Sequence, residues 1–359
     1  MYKEATIAAV ELLSRLIATP SVSREETTAA DIIEQYLTGQ GLQPQRHNNN
    51  VWVVSRHQRA DRPTLLLNAH IDTVRPASGW QRDPFAPTLE DDRLYGLGSN
   101  DCGGGLMALM QTFLHYERQD ADACAYNLVY LASAEEEVSG KNGIESALPL
   151  LPHIDFAVVG EPTGLQPAIA EKGLMVIDAT AHGRSGHAAR EEGDNALYHA
   201  LDDIALIRRG VEDGTLFPLR SPMLGPVKAT VTIIQSGTQH NVIPDRCTFT
   251  IDVRSNECYS NTELLQLLTE RLQSDLKARS TRLSSSSIAP DHPFVRRCVA
   301  QGLQPFGSPT LSDQALMSFP SLKLGPGQSA RSHTADEYIC ISEIEDAIRL
   351  YTELLSNNQ

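Results

Sequence analysis

A chain of 359 residues that is 41% hydrophobic is long enough for two domains, or for one carrying an insertion, and too apolar to be disordered. Its 30 Lys and Arg against 45 Asp and Glu give a formal charge of −15, which disfavours nucleic-acid phosphates and anionic membrane as partners. The 6 cysteines form no CxxC pair, which argues against a structural zinc ribbon or a disulfide framework, and no apolar run approaches a membrane span.

From the N-terminus, Ile7, Val10, Leu13, Leu16 and Ile17 fall at helical spacing up to Pro20; the acidic, amphipathic pattern is not that of a signal peptide, so a cytoplasmic location is expected. A second helix is predicted from Ser23, with Glu26 completing a capping box, to Gly39 or Gly41. Residues 51–54 and 64–68 read as strands. The second of these runs into His70, Ile71 and Asp72, and alternation along a strand puts His70 and Asp72 on one face. In isolation such a pair is most often a surface histidine beside a carboxylate. In a site it is a metal ligand with the carboxylate that orients it.

The glycine-dense "LYGLGSNDCGGG" then leads into a helix, "NLVYLAS" and "FAVV" are buried strands, and acidic loops follow both. Strands alternating with helices predict an α/β sheet with ligand chemistry at the carboxyl ends of its strands. From about Lys172 the texture changes to apolar/polar alternation in "LMVIDATA", "VKATVTII" and "CTFTIDV", with helical patterns at 194–208 and 260–277. This predicts a separate α+β unit over residues 173–284, inserted between residues 1–172 and 285–359 of the first domain. An amphipathic helix over 343–355 closes the chain.

Five positions carry side chains of the kind that bind metals: His70, Asp101, the triplet Glu135–Glu137, Glu161 and His333. Each is weak alone. Four of the five follow apolar strands, which predicts that they share one edge of one sheet.

The motifs "NAHIDTV", "GLGSNDCGGG", "SAEEEVSG", "VVGEPT", "GRSGHAA", "NVIPD", "DVRS" and "RSHTADEY" occur in that order. With them the chain resembles, over essentially its whole length, the co-catalytic di-zinc amidohydrolases that include acetylornithine deacetylase, succinyl-diaminopimelate desuccinylase, aminoacylases and several exopeptidases. The resemblance implies a zinc-peptidase-like α/β catalytic domain with an inserted α+β lid and dimerisation domain. It implies two zinc ions, with cobalt or manganese as possible substitutes, held by His70 and Glu161 on one side and by Glu137 and His333 on the other. It implies too that Asp101 bridges them and that the Asp101–Cys102 peptide is cis.

Asp72 matches the residue that orients the histidine ligand. The triplet aligns with Glu135 in a non-catalytic slot, Glu136 as general base and Glu137 on metal. His187 matches a histidine that reaches the partner subunit's active site, while Asn241 and Arg254 match substrate contacts, Arg254 toward the α-carboxylate. Gly325 and Gly327 are expected to offer backbone N–H groups to that carboxylate. His182 lacks such support and reads as structural.

The sequence departs from many relatives after the bridging aspartate, where Cys102-Gly103-Gly104 stands in place of Met-Lys-Gly; Cys102 reads as a small buried residue. The motif style is closest to the acetylornithine deacetylase branch, implying removal of an N-acetyl or N-succinyl group from an ornithine-like amino acid in arginine biosynthesis. Desuccinylation of diaminopimelate precursors and dipeptidase or aminoacylase activity are the alternatives within the family. A nucleotide-binding reading of "GLGSND" fails because Asp101 stands where GxGxxG needs glycine. An inactive scaffold would be expected to lose ligands or base, and none is lost.

Overall fold

The computed structural model describes residues 2–357. The chain divides into two units. One comprises the chain up to Ile169, Ile288–Phe306 and the chain from Ser312; the other comprises Ala170–Ser287 with Gly307–Leu311. Nine strands carry the argument: β1 (Asn50–Val54), β2 (Thr64–His70), β3 (Asn127–Ser133), β4 (Phe156–Val159), β5 (Met175–His182), β6 (Lys228–Ser236), β7 (Arg246–Arg254), β8 (Asp275–Ala278) and β9 (Ser321–Lys323).

In the first unit β3, β2, β4 and β9 lie side by side and parallel, with β1 antiparallel on the outer side of β3. Every residue of β2 and β3 is buried, the near-continuous apolar character expected of parallel strands covered on both faces. Leu66, Val129, Leu131, Ala157 and Val159 join Trp52 and Ile144 in the core on one face. The helix Gly104–Glu117, buried on nearly every side, packs with Tyr2–Ile17 and Ile341–Leu355. It also passes so close to the end of β4 that a Cβ on Gly105 would overlap the Gly160 carbonyl. Because the four central strands are parallel, their carboxyl ends open on the same edge.

Two expectations about the first helices are corrected. Tyr2–Ile17 buries Thr6, Ala9, Leu12, Leu13 and Ile17, whereas Ile7 is exposed. The buried stripe runs through small residues that apolar spacing does not pick out. The second helix is Thr27–Gly39, starting four residues after Ser23 without a side-chain cap. Ser23 Oγ instead donates to Asp72 Oδ2 at 2.7 Å, and the buried Glu26 carboxylate accepts from Arg24 N, Asn49 Nδ2 and Glu135 N. Long-range partners have displaced the local capping box.

In the second unit β6, β7, β5 and β8 form an antiparallel sheet. Burial alternates along β5 and β7, and the helices Ala196–Glu212 and Asn261–Arg271 cover the side carrying Ile177, Phe249, Ile251, Val253, Leu264 and Leu268. The helix expected to reach residue 277 stops at Arg271, and residues 275–278 form the edge strand β8. The buried carboxylate of Asp203 accepts the N–H groups of Gln273 and Ser274 at 3.0 and 2.9 Å, which draws the chain out of the helix.

Candidate metal centre and active site

His70 closes β2. Its Nδ1 lies 2.8 Å from the Asp72 backbone oxygen and 3.5 Å from Asp72 Oδ1, while Nε2 faces Asp101 Oδ1 at 3.2 Å and Glu161 Oε1 at 3.7 Å. The other oxygen of Asp101, Oδ2, stands 3.7 Å from His333 Nε2, which in turn meets Glu137 Oε2 at 3.0 Å. The side chains thus run Glu161, His70, Asp101, His333, Glu137, with the central carboxylate turning one oxygen to each histidine. Donor atoms around a single tetrahedral zinc would be about 3.3 Å apart, and these spacings are of that size.

The donor set also fits. Two imidazoles and three carboxylates suit zinc, cobalt or manganese. Glu161 Oε1 is buried without a hydrogen-bond partner, an acceptor that a cation would satisfy. At one end His70 is sealed in, its side chain 1% exposed; at the other His333 is 52% exposed, which makes that end the approach for a ligand.

Local structure holds the segments that carry Asp101 and Glu137. The Asp101–Cys102 peptide is cis. Ahead of it, the buried Glu337 carboxylate accepts the N–H groups of Gly98, Asn100 and Asp101 at 3.1, 2.8 and 2.9 Å. Asp72 does more than flank His70, since its two oxygens accept the N–H groups of Glu136 and Glu137 at 3.0 and 3.1 Å. Glu135 turns inward, its carboxylate held by Asn142 N and Nδ2 and its N–H by Glu26. Below the acidic loop the buried Asp313 accepts from Asn68 Nδ2 at 2.9 Å and Ser133 Oγ at 2.6 Å.

Ser23, Glu26, Asp313 and Glu337 were not picked out from the sequence as parts of the site. Only Glu337 lay inside a recognised motif, "RSHTADEY"; the others carry no local signature.

His187, Asn241 and Arg254 belong to the second unit. The short pairing of Gly186–His187 with Val242–Ile243, and an Ala188 N–H bond to the Asn241 carbonyl at 3.0 Å, bring the "GRSGHAA" and "NVIPD" loops together. His187 is exposed. The Arg254 guanidinium is held bidentately by Asp252, at 2.8 and 3.2 Å. His182 pairs with Asp275 across neighbouring strands. Gly325 departs from its expected use: its N–H is taken by Thr163 Oγ1 at 3.1 Å, and a Cβ there would overlap the Gly160 and Glu161 carbonyls, so the glycine serves close packing. Gly327 adopts φ +83° beside Asn100.

A model of peptidase family M20/M25/M40 matches residues 66–357. The chain belongs to that family. Among its relatives are acetylornithine deacetylase of Yersinia pestis, 27% identical with 97% of each chain covered, and succinyl-diaminopimelate desuccinylase of Corynebacterium glutamicum, 27% identical with 97% of this chain and 96% of the other covered. The fold is that of aminopeptidase PepT from Bacillus cereus, with TM-score 0.76 at 16% identity and 98% of each chain covered. It is also that of the Bacillus subtilis YXEP protein, described as a dinuclear metal-binding M20 peptidase, with TM-score 0.71 at 15% identity and 98% of each covered.

For an M20 hydrolase the electrostatics of the cluster are informative. Burial, reinforced by the charge of Asp101, pushes the Glu161 carboxyl up to about 8. The hydrogen bond that His333 donates to the Glu137 carboxylate raises the histidine to about 9 against partial burial. Burial opposes charge on His70, yet Cys102, Asp101 and Asp72 hold its pKa well above the usual imidazole value. Burial also lifts Glu136 well above the carboxylate range; His70 pulls it back and Glu161, Asp313 and Glu137 add to the rise. These carboxylates crowd one another, and a divalent cation relieves that repulsion.

Proposed function

We propose that this M20 hydrolase cleaves the amide bond of an N-acyl-L-amino acid, with an N-acetyl- or N-succinylornithine-like substrate and a place in arginine biosynthesis. The observation that carries the reading is the Asp101 carboxylate, with one oxygen toward His70 and the other toward His333. Such a carboxylate is placed to serve two cations at once. The names of the 27%-identical relatives support deacylation of this kind, and the desuccinylase among them keeps succinyl-diaminopimelate as the alternative substrate.

His70 with Glu161 and His333 with Glu137 would hold the two ions, zinc being the expected metal. Bound there, the pair supplies Lewis acidity to the scissile carbonyl and acidifies a water. Glu136, anchored through its N–H by Asp72, takes the proton of the attacking water and delivers it to the leaving amine. A carboxyl with a raised pKa is suited to that second transfer. His187 and Asn241 would contribute donors to the oxyanion, and Arg254 a planar cation to the α-carboxylate.

A homodimer through the second unit belongs to the same proposal, with His187 acting across it. β6 is an edge strand with Ile233 and Ile234 exposed, and Tyr198 and Leu201 are exposed on the helix Ala196–Glu212. Among the described residues no helix is long and apolar enough to cross a membrane.

The test is hydrolysis of a panel of N-acetylornithine, N-succinylornithine, N-acetylcitrulline, succinyl-diaminopimelate and dipeptides, before and after exhaustive chelation. Deacylation that stops on chelation and returns with zinc or cobalt is expected. Turnover that survives complete metal removal would sink the proposal.

A further inference from the structure

His333 has little of its own to hold it in place. The side chain is 52% exposed, and the backbone takes φ +59°, a left-handed conformation uncommon for any residue but glycine. For one carboxylate to serve two ions, its Nε2 must nevertheless keep a fixed separation from Asp101 Oδ2, which is 3.7 Å. Arg331 pairs with Glu343, and Asp336 accepts the N–H groups of Gln81 and Arg82, but these bonds tie the loop to parts of the first unit other than the Asp101 segment.

Asn100 makes that connection. Fully buried and immediately before Asp101, it reaches Ser332, 232 positions away and next to His333. Its Oδ1 accepts the Gln328 N–H at 3.0 Å, while Nδ2 donates to the Gln328 carbonyl at 3.1 Å and to Ser332 Oγ at 3.3 Å. Pairing with both backbone groups of Gln328 fixes the direction of the amide, because the flipped form would oppose donor to donor. Between the two gripped residues runs the single turn Ser329–Arg331, closed by a bond from Arg331 N to the same Gln328 carbonyl at 2.9 Å.

The neighbouring glycine is an independent sign of this contact. Gly327 has φ +83°, and a Cβ there would overlap Asn100 Oδ1, so the chain closes on the amide only because residue 327 lacks a side chain. Beyond the histidine, Glu337 returns the link by accepting the N–H groups of Gly98, Asn100 and Asp101. The His333 loop is thus laced to the Asp101 segment on both sides, by the amide before it and by the carboxylate after it.

We propose that Asn100 is a positioning residue for the ion held by His333 and Glu137, its amide setting His333 at the separation from Asp101 that lets the carboxylate be shared. The inference rests on the reading of two ions at Asp101. Without the amide, residues 328–332 lose these bonds to the Asp101 segment while the Glu337 link remains. His70 and Glu161 are supplied by the ends of β2 and β4 rather than by this loop, so the ion they hold is spared.

The experiment titrates zinc into the chelated full-length protein by calorimetry, and the steps lost in His333→Ala and in Glu161→Gln assign the two ions. Asn100→Ala should weaken the His333 step about tenfold to hundredfold and the other about twofold or less. Equal weakening of both steps, which a merely structural role would give, or no weakening overturns the inference. If Asn100→Ala does not fold, Ser332→Ala decides. At a half-buried position it removes the amide's partner beside His333; it should weaken the same step by a smaller factor, and an unchanged step overturns the proposal. If the wild type takes up fewer than two ions, the two-ion reading fails instead, and hydrogen exchange of the metal-free protein decides whether Asn100 positions His333. Faster exchange confined to residues 328–333 in Asn100→Ala supports that role, and unchanged or uniformly faster exchange overturns it.

Discussion

Asp72 spends its two oxygens on the N–H groups of Glu136 and Glu137, and Glu135 is tied back by Asn142. The consequence is a division of labour within three consecutive glutamates. Glu136→Ala should lower kcat by about 10²–10⁴, the usual size of a general-base contribution, with bound metal unchanged by elemental analysis. Glu135→Ala should act first on stability, by about 1–3 kcal/mol, because it strands buried donors; denaturant unfolding distinguishes the two. If Glu135→Ala abolishes turnover while Glu136→Ala spares it, the roles are reversed.

A second residue-scale expectation concerns pH. In the chelated protein Glu337, Glu161 and His333 have pKa values raised to about 7, 8 and 9. A raised group binds its proton more tightly when folded, so its stabilisation is intact below the unfolded value and disappears as pH climbs through the folded one. All three act in the same direction. The melting temperature of the chelated protein should therefore fall between about pH 6 and pH 9, and saturating zinc should flatten the decline that Glu161 and His333 cause. A melting temperature that rises across that range without metal would contradict the assignment.

At the scale of elements, the site depends on close approach between the helix Gly104–Glu117 and the end of β4. Gly105→Ala would force a Cβ into the Gly160 carbonyl. We expect it to cost about 1–3 kcal/mol or more and to weaken metal binding, since Glu161 follows Gly160 directly; equal metal affinity in a folded variant would show that this contact does not position the ligand. The same scale shows what the sequence could reveal. Three of the four parallel strands, β2, β3 and β4, were legible because each is a short, continuous apolar run, and the residues that follow them inherit a shared edge; β9, three residues reading Ser-Leu-Lys, carries no such signal. Ser23, Glu26 and Asp313 were not, because their partners are tens to hundreds of positions away. Ser23 and Glu26 even mimicked a capping box that the fold does not use. The strand Asp275–Ala278 was hidden for a similar reason, since Asp203, 70 positions from Gln273, ends the preceding helix.

For the whole molecule, the exposed apolar residues of β6 and of the helix Ala196–Glu212 lead to an expectation about assembly. Ile233→Lys with Ile234→Lys should shift the protein toward monomer in sedimentation analysis, and a variant that stays dimeric would place the interface elsewhere. If His187 acts across the dimer, mixing His187→Ala with Glu136→Ala should recover part of the activity that neither has alone; verified mixed dimers without recovery would argue for action within one chain. The catalytic expectations depend on two cations meeting at Asp101. The direct measurement is an anomalous difference map from crystals of the zinc-loaded protein. Two peaks about 3.5–4 Å apart, flanking the Asp101 carboxylate with His70 and Glu161 on one and Glu137 and His333 on the other, are predicted. A single peak, or none beside Asp101, would contradict the account.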